Sequence, residues 1–247
     1  MQRWAKRIKS LQIKKNRKAE QSFVVEGGKS VLEVVRSGLD VEAVLVTEAF
    51  WHENAAELRG KNFAVERTDA EMLARLGTFQ TNDAALAVVR MPPNRKVMPG
   101  PDGLLLALDG VQDPGNLGTL VRIADWYGAD GVVCSHDTVD LYNPKTIAAT
   151  MGSFTRVPVY YCDLAVYLAD LKQRGATVYG AFLDGESVHG TLFATPAVLL
   201  MGSEAHGIRP ALEEAVTRRV SIPRFGGAES LNVAIAAAVI CDNWRRG

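Results

Sequence analysis

Apolar positions alternate along the chain in two rhythms. In the first ninety residues, short β-branched runs at 23–28, 41–47, 63–68 and 85–91 predict strands. Between them, residues 29–37 carry Val31, Leu32, Val34 and Val35 as a helical stripe that Gly38 stops. Residues 48–58 and 69–76 also read as helices, with Asp69 placed as an N-cap. Strands alternating with helices predict a small α/β layer.

The rhythm then breaks. Pro92, Pro93, Pro99 and Pro101, with Gly100 and Gly103, fill the stretch up to residue 103. Proline cannot donate to a ladder and biases its predecessor away from helix, so 92–103 reads as a linker between domains at 1–91 and 104–247. Beyond it, Leu104-Leu105-Leu106-Ala107-Leu108 is apolar without alternation, as a strand buried on both faces of a parallel sheet should be. Further strands are expected at 131–135, 157–162, 177–183, 197–200 and 219–222. Helices are expected at 119–127, 141–152 after Pro144, 164–172 and 231–244. The last is rich in alanine and apolar on most sides, so it must be buried in the core or against another subunit.

Totals narrow the class. The 247 residues are 47% hydrophobic and 23% charged, an ordinary globular composition, and the formal net charge is zero. The charge is unevenly placed: Arg3, Lys6, Arg7, Lys9, Lys14, Lys15, Arg17 and Lys18 precede the first acid, either as a solvated helix face or as a contact for phosphates. Cys134, Cys162 and Cys241 lie far apart, which argues for a reducing compartment and against a structural zinc site. Cys134 and Cys162 fall in apolar runs and read as inert buried thiols. No run approaches a membrane span and no signal-peptide core is present, so a soluble, cytoplasmic protein is expected.

Candidate chemistry gathers at three turns. The first, Asp113-Pro114-Gly115-Asn116-Leu117-Gly118, precedes a helix but lacks the spacing of either phosphate-binding glycine fingerprint. Asn116 there is equally open to a helix-capping role. Arg122 is less ordinary, since a guanidinium within an apolar helical segment must reach a partner or enter a cleft. The second turn, Gly202-Ser203-Glu204-Ala205-His206-Gly207, leaves a buried-looking strand, at the end where open α/β sheets bind ligands. Glu204 could also simply start a helix. His206 has no second ligand at metal spacing. The third turn runs from Ile222-Pro223 to Glu229-Ser230-Leu231-Asn232. Ser230 reads there as a common N-cap, and Asn232 as an unfavourable residue inside the helix that follows, unless it has a task. The second and third turns, two strand-to-turn junctions in succession, predict a pocket for a polar small molecule lined mostly by main chain.

In this order the three turns resemble the motifs of the SpoU (TrmH-type) RNA 2′-O-ribose methyltransferases of the SPOUT superfamily. They are Asn116-Leu117-Gly118 with Arg122, Met201-Gly202-Ser203-Glu204-Ala205-His206-Gly207-Ile208, and Ile222-Pro223 followed by Glu229-Ser230-Leu231-Asn232-Val233. Phe23-Val24-Val25-Glu26-Gly27 and the layer after it look like the family's small RNA-binding domain. Arg224, where the family commonly has Met, and Phe225-Gly226-Gly227 depart from the pattern and bear on pocket shape and substrate choice.

The resemblance implies an α/β protein: a C-terminal parallel-sheet SPOUT domain with a deep trefoil knot, preceded by an α/β RNA substrate-binding domain. It implies S-adenosylmethionine held by main chain near Leu183, Gly202, Ile222 and Leu231, a homodimer, and no metal. Asn116, Arg122, Glu204, Ser230 and Asn232 are the implied catalytic set, with Arg122 reaching the partner subunit's site, contacting the phosphate beside the target ribose and assisting loss of its 2′-proton. The separate N-terminal domain and its basic start favour ribosomal RNA ahead of transfer RNA. Three other readings compete: a non-catalytic RNA-binding protein on the same scaffold, methylation of a base nitrogen, and a nucleotide-dependent oxidoreductase. The intact motif residues, the Ser230-Leu231-Asn232 run and the missing glycine fingerprint speak against them in turn.

Overall fold

A computed structural model describes residues 2–247, which divide by their contacts into two compact units. The first contains residues up to Pro93 together with 140–156; the second contains 94–139 and 157–247. Residues 140–156 therefore belong, by contact, with a unit far earlier in the sequence.

The first unit holds a mixed four-stranded sheet. Its strands are β1 (Ser22–Glu26), β2 (Val41–Val46), β3 (Ala64–Arg67) and β4 (Ala85–Arg90), in the order β1-β4-β2-β3, with only β2 and β3 parallel. Five of its helices are α1 (Gln2–Leu11), α2 (Lys14–Glu20), α3 (Gly28–Arg36), α4 (Glu48–Leu58) and α5 (Ala70–Leu76). Thr47 and Asp69 cap α4 and α5 through their side chains. On α1, Trp4, Ile8 and Leu11 recur at helical spacing and pack with Leu45, Leu73, Leu86 and Val88.

The basic start of the chain is sorted by this packing. Arg7 turns inward to Glu20 at 3.0 Å and Glu42 at 2.7 Å. Arg17 is buried, with Nη1 donating to the Leu11 and Gln12 carbonyls and Nη2 to Asp140 at 2.8 Å. Arg3, Lys6, Lys9, Lys14, Lys15 and Lys18 remain exposed.

The second unit is a six-stranded, all-parallel sheet. Its strands are β5 (Leu104–Leu108), β6 (Gly131–Ser135), β7 (Val159–Cys162), β8 (Thr177–Ser187), β9 (Ala197–Met201) and β10 (Arg218–Ser221), in the order β10-β8-β9-β5-β6-β7. Every residue of β5, β6 and β9 is buried, so the unbroken apolar runs reflect cover on both faces. The helices are α6 (Pro114–Tyr127), α8 (Leu164–Gln173), the single turn α9 (Pro210–Glu213) and α10 (Val233–Arg246); α7 (Pro144–Ala149) lies in the first unit. Leu164, Tyr167, Leu168 and Leu171 of α8 pack against Leu105, Val133, Val178 and Val198. The helix α10 packs against α6 and β9.

Several boundaries differ from the sequence expectation. The helix expected at 119–127 begins at Pro114, because Asp113 caps it and the missing proline N–H costs nothing in a first turn. The helix expected over 141–152 is confined to Pro144–Ala149, ending where Met151 and Gly152 take left-handed backbone. The final helix starts at Val233 with Asn232 as its N-cap, accepting from the N–H groups of Ala234 and Ile235. Asn232 is thus outside the helix interior, and the helix penalty expected of it does not arise; Ser230 is not the cap.

Candidate active site

The carboxyl ends of β8, β9 and β10 open into a cleft of about 610 Å3, a size that suits a nucleoside-scale ligand. Each strand supplies one wall. Past Met201 the chain turns through Gly202-Ser203-Glu204-Ala205-His206-Gly207. The turn closes on itself by backbone bonds between Ser203 and Gly207, at 3.1 and 2.9 Å, with Gly207 in left-handed backbone. A Cβ on Gly202 would lie 2.0 Å from the Gly207 carbonyl carbon and 2.2 Å from the Ile208 nitrogen, so only glycine lets the two backbones pass this closely.

The second wall comes from an irregularity in β8. Arg219 pairs with Gly180 while its neighbour Val220 pairs with Glu186, so residues 181–185 are pushed out of register. Ala181, Phe182 and Leu183 of that excursion line the cleft. Arg219 holds it, lying 3.5 Å over the Phe182 ring and donating to Asp184 at 2.7 Å and to Glu213 at 3.0 Å. The Asp184 carboxylate raises the Arg219 pKa further, chiefly by accepting that hydrogen bond. The third wall is the turn after β10, from Ile222 to Leu231.

The expected cofactor positions Leu183, Gly202, Ile222 and Leu231 all line this cleft. Leu183 is 79% exposed and Leu231 51%, so two large apolar side chains stand uncovered along its walls.

The expected catalytic residues separate into three groups. Asn116, Glu204 and Asn232 come from three different turns and form one hydrogen-bonded chain. Asn232 Nδ2 donates to Asn116 Oδ1 at 2.9 Å, and Asn116 Nδ2 donates to Glu204 Oε1 at 2.5 Å. The Oδ1 of Asn232 is committed to two backbone N–H groups of α10, which sets the polarity of the whole chain. The local reading of Asn116 as a cap does not apply, because Asp113 accepts from the Asn116 N–H instead. Ser230 lines the cleft together with Glu204. Arg122 is exposed on α6, outside the cleft lining, with no hydrogen-bond or ion-pair partner among the described residues.

Sequence reasoning missed the support behind the second turn. Asp109, buried at the end of β5, accepts from the Arg209 N–H at 2.7 Å and from Arg209 Nε at 2.6 Å; Arg209 reaches Asp137 with its other nitrogens, at 3.1 and 3.3 Å. These hydrogen bonds, led by the one to Asp109, raise the Arg209 pKa, while the Ser135 hydroxyl first and Arg209 after it lower that of Asp137. The available signal was a carboxylate directly after a fully apolar strand. Phe182 and Phe225, both lining the cleft, were equally absent from the expected site residues.

Among the described residues no group of three or more His, Cys, Asp or Glu is placed to hold a metal ion, and no helix is long and apolar enough to cross a membrane. Cys134, Cys162 and Cys241 are free and buried, and burial pushes their thiols up, to about 11 for Cys162 and about 12 for Cys241.

A parallel sheet with a nucleoside-sized cleft at its carboxyl edge, walled by two turns and the excursion in β8, defines an α/β protein of the ligand-binding, open-sheet class. Residues 103–242 match the SpoU rRNA methylase family, and residues 4–87 match the MRM3-like substrate binding domain. The chain belongs to the SpoU rRNA methylase family. It is 32% identical over 238 residues to the 23S rRNA (guanosine(2553)-2′-O)-methyltransferase RlmP of Bacillus subtilis, covering 96% of this chain and 94% of that protein. The structure of a TrmH-family protein from Porphyromonas gingivalis superposes with a TM-score of 0.84 at 38% identity, covering 98% of this chain and 96% of that one. The SpoU methyltransferase AviRb of Streptomyces viridochromogenes, solved in complex with AdoMet, superposes with a TM-score of 0.88 at 26% identity, over 98% of this chain and 97% of that one.

Proposed function

We propose that the protein transfers the methyl group of S-adenosylmethionine to a ribose 2′-hydroxyl of ribosomal RNA, acting in the cytoplasm as a homodimer. The observation that carries this reading is the hydrogen-bonded chain Asn232–Asn116–Glu204, which joins three motifs and meets the cleft lining at Glu204. Transfer RNA is the second candidate substrate.

The cleft fits the methyl donor on its own geometry. Gly202 leaves bare backbone where no side chain could stand, and Leu183, Ile222 and Leu231 offer apolar walls to a flat base. When bound, S-adenosylmethionine supplies an electrophilic methyl on a sulfonium. The protein's own task is to hold the ribose in line and to ease removal of its 2′-proton, since a protonated hydroxyl is a poor nucleophile. Glu204 accepts from Asn116 through Oε1 and, like Ser230, lines the cleft, so both can meet polar groups of the ribose. Arg122, always cationic, would contact the phosphate beside the target ribose and stabilise negative charge developing on its oxygen.

Exposed apolar side chains on α6 and α10 support the dimer. Trp126 is 81% exposed on α6 and Ile235 is 55% exposed on α10, a large apolar surface for a monomer to leave uncovered. Arg122 lies four residues before Trp126, so the two share a helix face. A second copy seated on Trp126 would carry Arg122 to its partner's cleft. The course of the chain supports a trefoil knot in the same unit: from β9 inside the sheet it moves out past β8 to β10, then returns as α10 against α6 and β9. The exposed lysines of α1 and α2 give the first unit a cationic surface suited to an RNA backbone.

Calorimetric titration with S-adenosylmethionine, followed by mapping of 2′-O-methyls in ribosomal RNA from a strain lacking the protein, tests the reading. One site per subunit and one missing methyl are expected. A folded dimer that binds neither S-adenosylmethionine nor S-adenosylhomocysteine would defeat it in favour of a non-catalytic RNA-binding role.

A further inference from the structure

Phe225 is the most uncovered large apolar side chain among the described residues, 95% exposed, and it lines the cleft. It stacks on no ring among the described residues. Arg224 beside it is exposed too, making only a 3.3 Å bond from Nη1 to the Ala228 carbonyl within the same turn. Gly226 and Gly227 follow. A Cβ on either would meet nothing within 4 Å, and neither has positive φ, so neither close approach nor backbone handedness requires glycine there. What the pair supplies is freedom of the chain carrying the ring.

A bare aromatic ring, a neighbouring guanidinium and a permissive backbone at the mouth of a nucleoside-sized cleft form a stacking platform for a nucleobase. Methyl transfer to ribose leaves the base chemically untouched, so selection of a nucleotide and orientation of its sugar must come from contacts of another kind. We infer that Phe225 stacks on an unpaired base of the RNA, at the target nucleotide or next to it, and thereby positions the ribose and biases which nucleotide is methylated. This rests on the methyl-transfer reading above. A planar π face is what recognition requires, so another aromatic residue replaces Phe225 and an aliphatic one does not.

The test compares Phe225→Ala, Phe225→Leu and Phe225→Trp with the wild type, using ribosomal RNA from a strain lacking the protein and calorimetric titration of S-adenosylmethionine. Because the side chain is exposed, the fold should be unaffected, and thermal unfolding checks this. The Ala and Leu variants should raise KM for RNA roughly tenfold to a hundredfold, the range expected for loss of one base–aromatic stack. The Trp variant should stay within about threefold, since it keeps a π face. S-adenosylmethionine affinity should be unchanged in all three. Two results overturn the inference: RNA kinetics unmoved in every variant, or weakened S-adenosylmethionine binding in Ala that Leu restores, which makes the ring a lid over the methyl donor. A wild-type protein that methylates no RNA fails the underlying reading itself.

Discussion

Arg209 donates to the buried Asp109 carboxylate twice, through its own backbone N–H and through Nε, at 2.7 and 2.6 Å. The pair fastens the exit of the turn bearing Glu204 to the end of β5, and Asp137 holds the outer side of the same guanidinium. The Asp109 N–H in turn donates to the Met201 carbonyl at 2.9 Å, so both ends of the turn converge on one residue. A loop with so few apolar anchors is held chiefly by charge-assisted hydrogen bonds.

Removing Arg209 should therefore cost more than its exposure indicates. Arg209→Ala leaves a carboxylate buried without its cation, a change worth about 3 kcal/mol or more. Arg209→Lys keeps the charge but loses the planar fork and should recover only part. Urea unfolding together with S-adenosylmethionine titration measures both effects. Full stability with unchanged affinity in Arg209→Ala would show that the turn is held elsewhere.

Asn232 allows its two roles to be separated. Asn232→Ala loses the cap of α10, at about 1 kcal/mol, and the donor to Asn116. Asn232→Asp keeps an oxygen for the Ala234 and Ile235 N–H groups but cannot donate to Asn116. Stability should hold in the Asp variant while methyl transfer falls about a hundredfold through misorientation of Asn116 and Glu204. Equal loss of stability in both variants would reduce Asn232 to a cap.

How much of this could be read from the chain depends on the range of the interaction. The runs at 104–108 and 131–135 became strands with those bounds, because an unbroken apolar stretch has few other stable fates in a parallel sheet. The start of the last helix was misplaced by two residues: Ser230 and Asn232 are both good caps, and only the fold decides between them. The five-residue excursion in β8 left no local mark, since it exists only as a mismatch against Arg219 and Val220. Arg7 and Arg17 looked like their exposed neighbours because Glu42 and Asp140, the acids that draw them inward, lie far along the sequence.

The Arg7–Glu42 pair makes the first unit sensitive to acid. Burial pushes the Glu42 carboxyl up, but hydrogen bonds from Arg7 and Ser22 outweigh it and hold the group below its ordinary value. A depressed carboxyl contributes stability that is complete above its unfolded pKa of about 4.3 and is lost as pH falls through the lower folded value. Thermal unfolding at pH 7 and at pH 3.5–4 should show this loss in the wild type, at most about 1 kcal/mol from this group. Glu42→Gln should be less stable at pH 7 and lose less on acidification. An identical pH dependence in the two proteins would remove Glu42 from the account.

The proposed dimer has a consequence that a monomeric site cannot mimic. If Arg122 serves the partner's cleft, each active site combines Arg122 of one subunit with Asn116, Glu204 and Asn232 of the other. Arg122→Ala and Asn232→Asp should then each be strongly impaired as homodimers, the first lacking the cation at both sites and the second the aligned carboxamide chain at both. A heterodimer of the two contains one site with Asn232 intact and an intact Arg122 delivered from the neighbouring chain. Co-expression with two different tags and sequential purification isolates that species, and its methyl transfer should exceed either parent by the full factor the mutations removed, at one site per dimer. A heterodimer as impaired as its parents would mean that Arg122 acts within its own subunit, while its exposed neighbour Trp126 would still call for a covering surface.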